Sequence, residues 1–177
     1  MKKQLIIVPL IIFSLIVLTF FYLLSIERNP SDLPSNLLEK NVPKFKTESL
    51  LKNYMFDTSK EFGNEIILVN FFATWCGPCR DEHIYIKKFS DEKKIRVIGI
   101  NYKDDPIKAI QWLKNLGNPY SDIPMDRTGT IAIDWGVYGI PETFIVNTKK
   151  IIQHRHVGPI TKKEYNEFYL KIIKSKE

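Results

Sequence analysis

Cysteine and histidine are scarce in this sequence. Among 177 residues there are two cysteines and three histidines. Secreted domains that depend on disulfide bonds carry several cysteine pairs, so this count excludes a disulfide scaffold. The two cysteines, Cys76 and Cys79, are separated by only two residues. We therefore expect the pair to have a chemical rather than an architectural purpose.

A strong charge imbalance is absent as well. The chain has 26 lysines and arginines against 20 aspartates and glutamates, a formal net charge of +6, and the basic residues form no clustered stripe. Proteins that bind nucleic acids concentrate their basic residues, so we expect no nucleic-acid partner. The length and the hydrophobic fraction of 44% suit one ordinary folded domain with an appendage.

The appendage is an uncharged apolar segment near the N-terminus. Residues 5–26 contain no charged side chain and follow Lys2 and Lys3. A helix of this length crosses a hydrocarbon core of about 30 Å. A cleaved signal peptide is the alternative, but its apolar region is shorter and ends at small residues, whereas residues 20–23 are Phe, Phe, Tyr and Leu. We expect an uncleaved transmembrane signal anchor.

The two lysines also indicate an orientation. Basic residues favour the cytoplasmic side, so residues 1–4 are predicted to be cytoplasmic and the chain after the anchor to be extracytoplasmic. Residues 27–43 include three prolines among polar residues and are predicted to be a linker. Residues 44–177 are predicted to form the folded domain. We expect a single-pass protein of the bacterial inner membrane with its C-terminal domain in the periplasm.

Apolar runs and turn signals predict the order of elements in that domain. The predicted strands are residues 45–50, 54–57, 65–72, 95–101, 123–125, 143–146 and 151–156, and the predicted helices are residues 79–89, 106–116, 130–135 and 161–175. This order predicts an α/β, thioredoxin-like fold in which helices flank a mixed central β-sheet. On the first of these helices we expect Ile84, Ile86 and Phe89 to face the core.

The cysteine pair stands where the first long strand passes into a helix. At a helix N-terminus, free backbone N–H groups and the positive end of the dipole stabilise a thiolate. We expect an exposed Cys76 to attack a substrate disulfide, and a shielded Cys79 to resolve the mixed disulfide. Gly77 permits the tight entry into the helix, and Pro78 suits its first turn. Trp75 is expected to form an apolar wall beside the reactive sulfur.

The alternative for this pair is half of a zinc site that histidines would complete. The sequence has no second paired-ligand motif at zinc-finger spacing, so we expect no metal, and no cofactor beyond a redox-active Cys76–Cys79 disulfide. Pro141 opens the strand that faces the cysteines in this layout. We expect a cis Ile140–Pro141 bond that leaves the Ile140 backbone free to pair with an extended substrate. A plain edge-strand proline is the alternative.

Five segments of the chain carry a family resemblance. They are FFATWCGPCRDEH at 71–83, GINYKDD at 99–105, WLKNLGNPY at 112–120, GVYGIPETF at 136–144 and RHVG at 155–158. Together they resemble the membrane-anchored thioredoxins of cytochrome c maturation, the CcmG or DsbE family. The resemblance spans about residue 33 to the C-terminal helix, and the segment 136–144 is far more specific than Cys-x-x-Cys alone.

The resemblance implies a protein-disulfide reductase of the periplasm. Such a protein keeps the haem-attachment cysteines of apocytochrome c, or those of a cytochrome c maturation protein, reduced. Its electrons come from a transmembrane thiol carrier of the DsbD or CcdA kind. By the same resemblance, Glu82 and Glu142 are acidic residues that tune the thiol chemistry. Tyr138 belongs to the loop beside the active site, and we expect it to bind substrate together with Trp75, Ile140 and Pro141.

Asn70 raises the question of which group deprotonates Cys79. General thioredoxins carry an aspartate six residues before the first cysteine, where this chain has Asn70, which cannot accept a proton. Glu82, three residues after Cys79, is one candidate acceptor, and Glu142, beside Pro141, is another. A dipole partner or a surface ion pair is an equally good interpretation of Glu82.

Three functions are compatible with these patterns. The first is reduction of apocytochrome c for haem attachment. The second is a general anchored thioredoxin that reduces other extracytoplasmic disulfides, which the Gly77–Pro78 dipeptide favours because it is the one found in general thioredoxins. The third is a non-catalytic module that holds a cytochrome segment by strand pairing. An oxidase of the DsbA type is not expected, because residues 101–138 leave no room for its helical insertion.

Overall fold

The computed structural model describes residues 2–25, 37–63 and 65–175, with side chains of the first segment described from residue 7. The chain divides into two compact units, residues 1–32 and 33–177. The end of the predicted anchor at Ile26 and the first part of the predicted linker, residues 27–36, lie outside the described residues.

The described part of the first unit is one long helix, α1 (Lys2–Ser25). Its segment Ile7–Ser25 is long and apolar enough to cross a membrane. Pro9 lies inside the helix, which a membrane-spanning helix tolerates. A helix of this kind near an N-terminus fits both an anchor and a signal sequence.

The first two strands of the second unit form a small hairpin. Strands β1 (Lys46–Glu48) and β2 (Met55–Asp57) pair in antiparallel register, and α2 (Thr58–Glu61) follows directly. Asp57 caps α2, because its side chain accepts a hydrogen bond from the backbone N–H of Ser59. This hairpin confirms the first two predicted strands.

A five-stranded mixed sheet forms the centre of the second unit. Its strands are β3 (Ile67–Phe72), β4 (Arg96–Tyr102), β5 (Met125–Asp126), β6 (Glu142–Val146) and β7 (Ile152–Val157), in the spatial order β5-β4-β3-β6-β7. The pairs β3–β4 and β4–β5 are parallel, and the pairs β3–β6 and β6–β7 are antiparallel. Every residue of β3 is buried, as expected for a central strand covered on both faces. The thioredoxin-like α/β layout is confirmed.

The helices begin and end at the residues that local signals indicate. The longer ones are α3 (Gly77–Asp91), α4 (Pro106–Leu116) and α6 (Lys162–Lys174), with the short α5 (Thr130–Asp134) between α4 and α6. Asp105 caps α4 by accepting hydrogen bonds from two backbone N–H groups of its first turn, and Gly117 ends it with φ of 87°. A capping box of Thr161 and Glu164 opens α6.

Two apolar layers hold the sheet between these elements. The layer that contains the cysteines takes Leu68 and Phe72 from β3 and packs them against α3, α4 and α6. The opposite layer takes Ile67, Val69 and Phe71 and packs them against the hairpin, α5 and Phe62, the residue after α2. Alternate residues of a strand face opposite sides, so Asn70 lies on the cysteine side of the sheet.

Two expectations about burial differ from the structure. Residues 37–43 were expected to be linker, but Val42 is buried and the backbone of residues 39–42 bonds to residues 150–152. The backbone groups of this segment are satisfied against the start of β7, so the folded unit starts before Lys44. Ile84 was expected inside, but it is exposed while Ile86 and Phe89 are buried. The burial of His83 explains this, because it turns the neighbouring Ile84 outward.

Candidate active site

A disulfide bond joins Cys76 and Cys79 at the start of α3. Cys76 is the N-cap residue, immediately before the first helical residue, Gly77, and Pro78 occupies the first turn. The backbone N–H of Cys79 points at the Cys76 sulfur over 3.1 Å. The same donor and the helix dipole would stabilise a thiolate at this position after reduction.

The two sulfur-bearing residues differ little in exposure. Cys76 is 5% exposed and Cys79 is 2% exposed. The expected exposed Cys76 is therefore not seen in the disulfide form, since the residue packs into the apolar layer beside α3. Its Sγ atom lies 3.6 Å from the carbonyl oxygen of Ile140.

The segment that faces the disulfide is the turn before β6. The Ile140–Pro141 peptide bond is cis, the geometry expected for it from the sequence. The carbonyl of Pro141 accepts a hydrogen bond from Gly158, so it is already paired within the protein. The carbonyl of Ile140 is directed at Cys76, which places the backbone expected to bind substrate next to the reactive sulfur.

Two large aromatic side chains are exposed in this region. Trp75 is 60% exposed and Tyr138 is 74% exposed. The Nε1–H of Trp75 donates to the carbonyl of Lys103 over 3.2 Å, and its ring centroid lies 6.3 Å from that of Tyr102. The ring of Tyr138 lies over the guanidinium of Arg155, 4.8 Å from its carbon atom. Both aromatics are exposed yet held in place, which suits a surface that binds a partner.

Asp104 fixes the backbone just before the cysteines. Its carboxylate accepts hydrogen bonds from the backbone N–H and the hydroxyl of Thr74, at 2.6 and 2.7 Å. It also accepts one from the amide of Asn101 and one from the backbone N–H of Asp105, each at 2.9 Å. The loop after β4 therefore determines the path of the chain into Trp75 and Cys76.

Glu82 lies on α3, three residues after Cys79, in the interior of the protein. It is buried, and its Oε1 accepts a hydrogen bond of 2.7 Å from the amide of Asn70. Its Oε2 accepts a hydrogen bond of 3.0 Å from the backbone N–H of Ile160. Among the described residues no lysine or arginine forms an ion pair with it. The interpretation of Glu82 as a surface ion pair is therefore wrong.

Burial changes the proton affinity of this carboxyl group. It raises the pKa of Glu82 from 4.5 to about 8, while the two hydrogen bonds from Ile160 and Asn70 act in the opposite direction. A carboxyl group with a pKa near neutrality can both accept and return a proton under physiological conditions. Helical spacing places Glu82 one turn after Cys79 on the same face of α3.

Glu142, the second acidic candidate, has a different environment. Both of its carboxylate oxygens bind the guanidinium of Arg155, at 2.7 and 2.9 Å, and both side chains are buried. Its Oε1 also accepts a hydrogen bond of 3.0 Å from the backbone N–H of Tyr138 and one of 3.4 Å from Gly139. These contacts fix the loop that precedes the cis proline.

The structure thus brings most of the predicted site residues together. Ile140 and Pro141 face the disulfide that Trp75 precedes, and Glu82, bonded to Asn70, follows it one turn later on α3. Arg155 and Asp104 were not predicted as functional residues, although both lie in segments that carry the family resemblance. Their contacts with Glu142 and Thr74 join residues distant in sequence, and a single sequence does not show such pairings. No cluster of three or more metal-binding side chains occurs among the residues that the structure describes.

Comparison with known proteins gives consistent matches. The Redoxin family matches residues 38–169. The thiol:disulfide interchange protein DsbE of Escherichia coli K12 is 42% identical over 171 residues, which cover 94% of this chain and 92% of that protein. The DsbE protein of Yersinia pestis is 41% identical over 176 residues, covering 97% of this chain and 93% of that one.

Solved structures agree on the fold. A Chlorobium tepidum structure assigned to DsbE superposes with a TM-score of 0.68 at 20% identity, covering 76% of this chain and 94% of that chain. A secreted thiol-disulfide isomerase from Corynebacterium glutamicum superposes with a TM-score of 0.66 at 20% identity, covering 77% and 86%. At this level of identity the structures show the fold alone.

Proposed function

The chain belongs to the Redoxin family and, within it, to the DsbE thiol:disulfide interchange proteins, and we propose that it is a membrane-anchored periplasmic reductant in cytochrome c biogenesis. Its enzymatic class is thiol:disulfide oxidoreductase. The observation that carries the proposal is the disulfide at the start of α3, which faces the cis-proline turn and is followed one helical turn later by a buried carboxyl group.

The reaction starts from the reduced form of the cysteine pair. The Cys76 thiolate, stabilised by the N–H of Cys79 and the dipole of α3, attacks one sulfur of a substrate disulfide. The substrate S–S bond breaks, one substrate thiolate leaves with its electron pair, and a mixed disulfide forms through Cys76. The Ile140 carbonyl next to Cys76 supports pairing with an extended substrate chain at this point.

Resolution of the mixed disulfide requires a proton acceptor. The Cys79 thiol gives its proton to the Glu82 carboxylate and becomes a thiolate. That thiolate attacks the Cys76 sulfur, the bond from Cys76 to the substrate breaks, and the second substrate thiolate leaves. The protein is then the Cys76–Cys79 disulfide and the substrate is a dithiol, so two electrons have moved from protein to substrate.

The cycle needs an electron supply on the same side of the membrane. A transmembrane thiol carrier of the DsbD or CcdA kind would return the disulfide to the dithiol by the reverse exchange. The apolar helix α1 supports attachment to the inner membrane, and Lys2 and Lys3 before it support a periplasmic domain. Attachment keeps the domain close to a membrane-bound donor.

The proposed substrate is the haem-attachment site of apocytochrome c, or a maturation protein that contacts it. Support comes from the segment 136–144, which forms the turn at the disulfide, and from identity of about 40% with DsbE proteins along nearly the whole chain. Trp75, Tyr138, Ile140 and Pro141 are the proposed contact surface, since the two aromatics are exposed and fixed in position.

Trapping of the mixed disulfide tests this proposal. In the full chain with Cys79→Ala, Cys76 can form a mixed disulfide but cannot release it. The expected trapped species carry an apocytochrome c peptide with its Cys-x-x-Cys-His site, or a cytochrome c maturation protein, attached at Cys76. The double variant Cys76→Ala, Cys79→Ala is the matched control and should trap nothing.

The same experiment separates the alternatives. If the trapped species are other extracytoplasmic proteins, the chain is a general anchored thioredoxin, which the Gly77–Pro78 dipeptide favours. A non-catalytic binding module predicts that Cys76→Ser leaves cytochrome c maturation intact, whereas the proposed reductant predicts its loss.

A further inference from the structure

The side chain of Tyr120 contacts the amide of Asn70, which in turn contacts Glu82. Tyr120 lies after α4 and is buried, and its hydroxyl donates to Asn70 Oδ1 over 2.9 Å. Its ring stacks on that of Phe72, with centroids 4.7 Å apart and planes inclined by 19°. These contacts hold the phenol in one position.

Gly99 makes this position possible. It is the residue of β4 paired with Asn70 in β3. A Cβ atom on Gly99 would lie 2.7 Å from the Tyr120 ring, closer than carbon atoms can approach. The absence of a side chain at Gly99 therefore lets the ring lie on the sheet and extend its hydroxyl to Asn70.

The amide of Asn70 can occupy its site in two orientations. In the observed one, Nδ2 donates to Glu82 Oε1 at 2.7 Å and to the hydroxyl oxygen of Thr143 at 3.0 Å. A rotation by half a turn would point the amide oxygen at Glu82 instead. The observed orientation stabilises the Glu82 anion, and the rotated one stabilises the protonated acid, because an amide oxygen can only accept a hydrogen bond.

The Tyr120 hydroxyl discriminates between these orientations. Burial raises the pKa of Tyr120 well above 10, so the phenol keeps its proton. Among the described residues, Asn70 Oδ1 is the atom that accepts the hydrogen bond from the Tyr120 hydroxyl. If the amide rotated, the buried O–H would face an N–H group and lose its acceptor, which is costly for a buried donor.

We propose that Tyr120 is a positioning residue that holds the Asn70 amide in the orientation that donates to Glu82. Through that orientation Tyr120 favours the Glu82 anion, the form that accepts the Cys79 proton. This inference rests on the proposed role of Glu82 in the resolution step and adds a residue that controls it.

The other groups around Glu82 do not obscure the effect of Tyr120 on the protonation of Glu82. From its own helix, His83 is buried and binds the Gly117 carbonyl, and burial lowers its pKa so that it is neutral. His156 on β7, the strand partner of Thr143, also has a pKa lowered by burial. The segment before α6 contributes only the backbone N–H of Ile160. The proton on Glu82 is therefore controlled mainly by burial and by the hydrogen bonds of Asn70 and Ile160.

The test follows the two steps of reaction with a small aromatic disulfide. The reduced full chain in detergent reacts with Ellman's reagent, which releases one chromophore when Cys76 attacks and a second when Cys79 resolves the mixed disulfide. The rate of the second release, measured against pH, reports the proton transfer from Cys79. Infrared titration of the Glu82 carboxyl band in the oxidised protein measures the ionisation of Glu82 directly, without turnover.

The variant is Tyr120→Phe, which removes only the hydroxyl. The net free energy of one hydrogen bond corresponds to a change in pKa of about 0.5 to 1. We expect the midpoint of the second step and the infrared midpoint of Glu82 both to move upward by about this amount. Near neutral pH the second release should then be about three- to tenfold slower, with the first release unchanged.

Tyr165→Phe is the matched control. Tyr165 packs against the same apolar layer, and its buried hydroxyl has no hydrogen-bond partner in the described structure. Removing that hydroxyl should leave both midpoints in place. An equal shift in both variants would show that loss of any buried hydroxyl has this effect, and the inference would be wrong.

Glu82→Gln separates failure of the inference from failure of the proton-acceptor role that the proposed function gives to Glu82. If the pH midpoint of the second step survives Glu82→Gln, Glu82 is not the proton acceptor and both statements fall. If Glu82→Gln removes the midpoint but Tyr120→Phe leaves it unmoved, the role of Glu82 stands and that of Tyr120 is wrong. Tyr120→Phe in the Glu82→Gln background should have no further effect on the pH profile.

Discussion

The guanidinium of Arg155 forms two hydrogen bonds to the carboxylate of Glu142, from Nε at 2.7 Å and from Nη2 at 2.9 Å, with both side chains buried. The pair links β7 to the first residue of β6. On one side the guanidinium supports the ring of Tyr138, and on the other the carboxylate binds the backbone N–H of the same residue. Two buried charges therefore fix one exposed aromatic side chain beside the disulfide.

Arg155→Met should destabilise the protein strongly. Removing one member of a buried ion pair leaves an uncompensated charge and typically costs about 3–5 kcal/mol. Urea unfolding of the full chain in detergent measures this cost. The double variant Arg155→Met, Glu142→Gln should lose less than the single variant, because no buried charge is left without a partner. A double variant less stable than either single variant would contradict this account.

Asp104→Ala should loosen the approach to the cysteines. The substitution removes the carboxylate that accepts four hydrogen bonds, two of them from Thr74. A hydrogen bond to a charged group contributes at most about 1.5–3 kcal/mol to stability. We expect lower stability, lower fluorescence anisotropy of Trp75 and a slower first attack by Cys76. Asp104→Asn is the control, since an amide can still accept from the Thr74 N–H and donate to its hydroxyl. If both variants lose reactivity equally, charge rather than geometry is responsible.

Glu82 should make stability depend on pH. Its pKa in the folded protein, about 8, is above the ordinary value of 4.5, so between these values the folded chain binds more protons than the unfolded chain. The stabilisation is complete below the unfolded pKa and is lost as pH rises through the folded pKa. The slope contributed by one such group is at most about 1.4 kcal/mol per pH unit. Urea unfolding across this range should give a falling free energy of unfolding, and Glu82→Gln should remove that part of the slope. Parallel curves for the two proteins would contradict the raised pKa.

Tyr138→Ala should affect recognition more than folding. The side chain is 74% exposed, so its loss should change stability little. Loss of an aromatic contact of about 0.5–1.5 kcal/mol should reduce kcat/KM for a disulfide peptide about three- to tenfold. Reaction with a small disulfide, which cannot reach the loop, should be unchanged. Ile133→Ala, an equally exposed apolar position on α5, is the control and should change neither reaction. An equal loss with both substrates would assign Tyr138 to the chemistry instead.

The sequence by itself determined the features that depend on neighbours along the chain. The helix predicted at residues 106–116 is α4, because Asp105, Pro106 and Gly117 mark its ends within a few residues. The capping box at Thr161 and Glu164 and the position of the cysteine pair at the start of α3 follow from equally local signals. The order of apolar runs along the chain also indicated a mixed sheet, since connection rules leave few topologies for such a series of strands and helices.

Only the tertiary structure decided what each charged side chain near the disulfide does. The sequence left Glu82 between a surface ion pair and a proton acceptor, because helical spacing gives a face but not what covers it. Folding buried Glu82, which raises its pKa, and brought it hydrogen bonds from Ile160, 78 residues away, and from Asn70, which partly oppose that rise. The sequence also left the role of Glu142 undecided, and the structure shows that Arg155 on the neighbouring strand β7 pairs with it. Desolvation and hydrogen bonding set the proton affinity of a carboxyl group, and both depend on residues that only folding brings together.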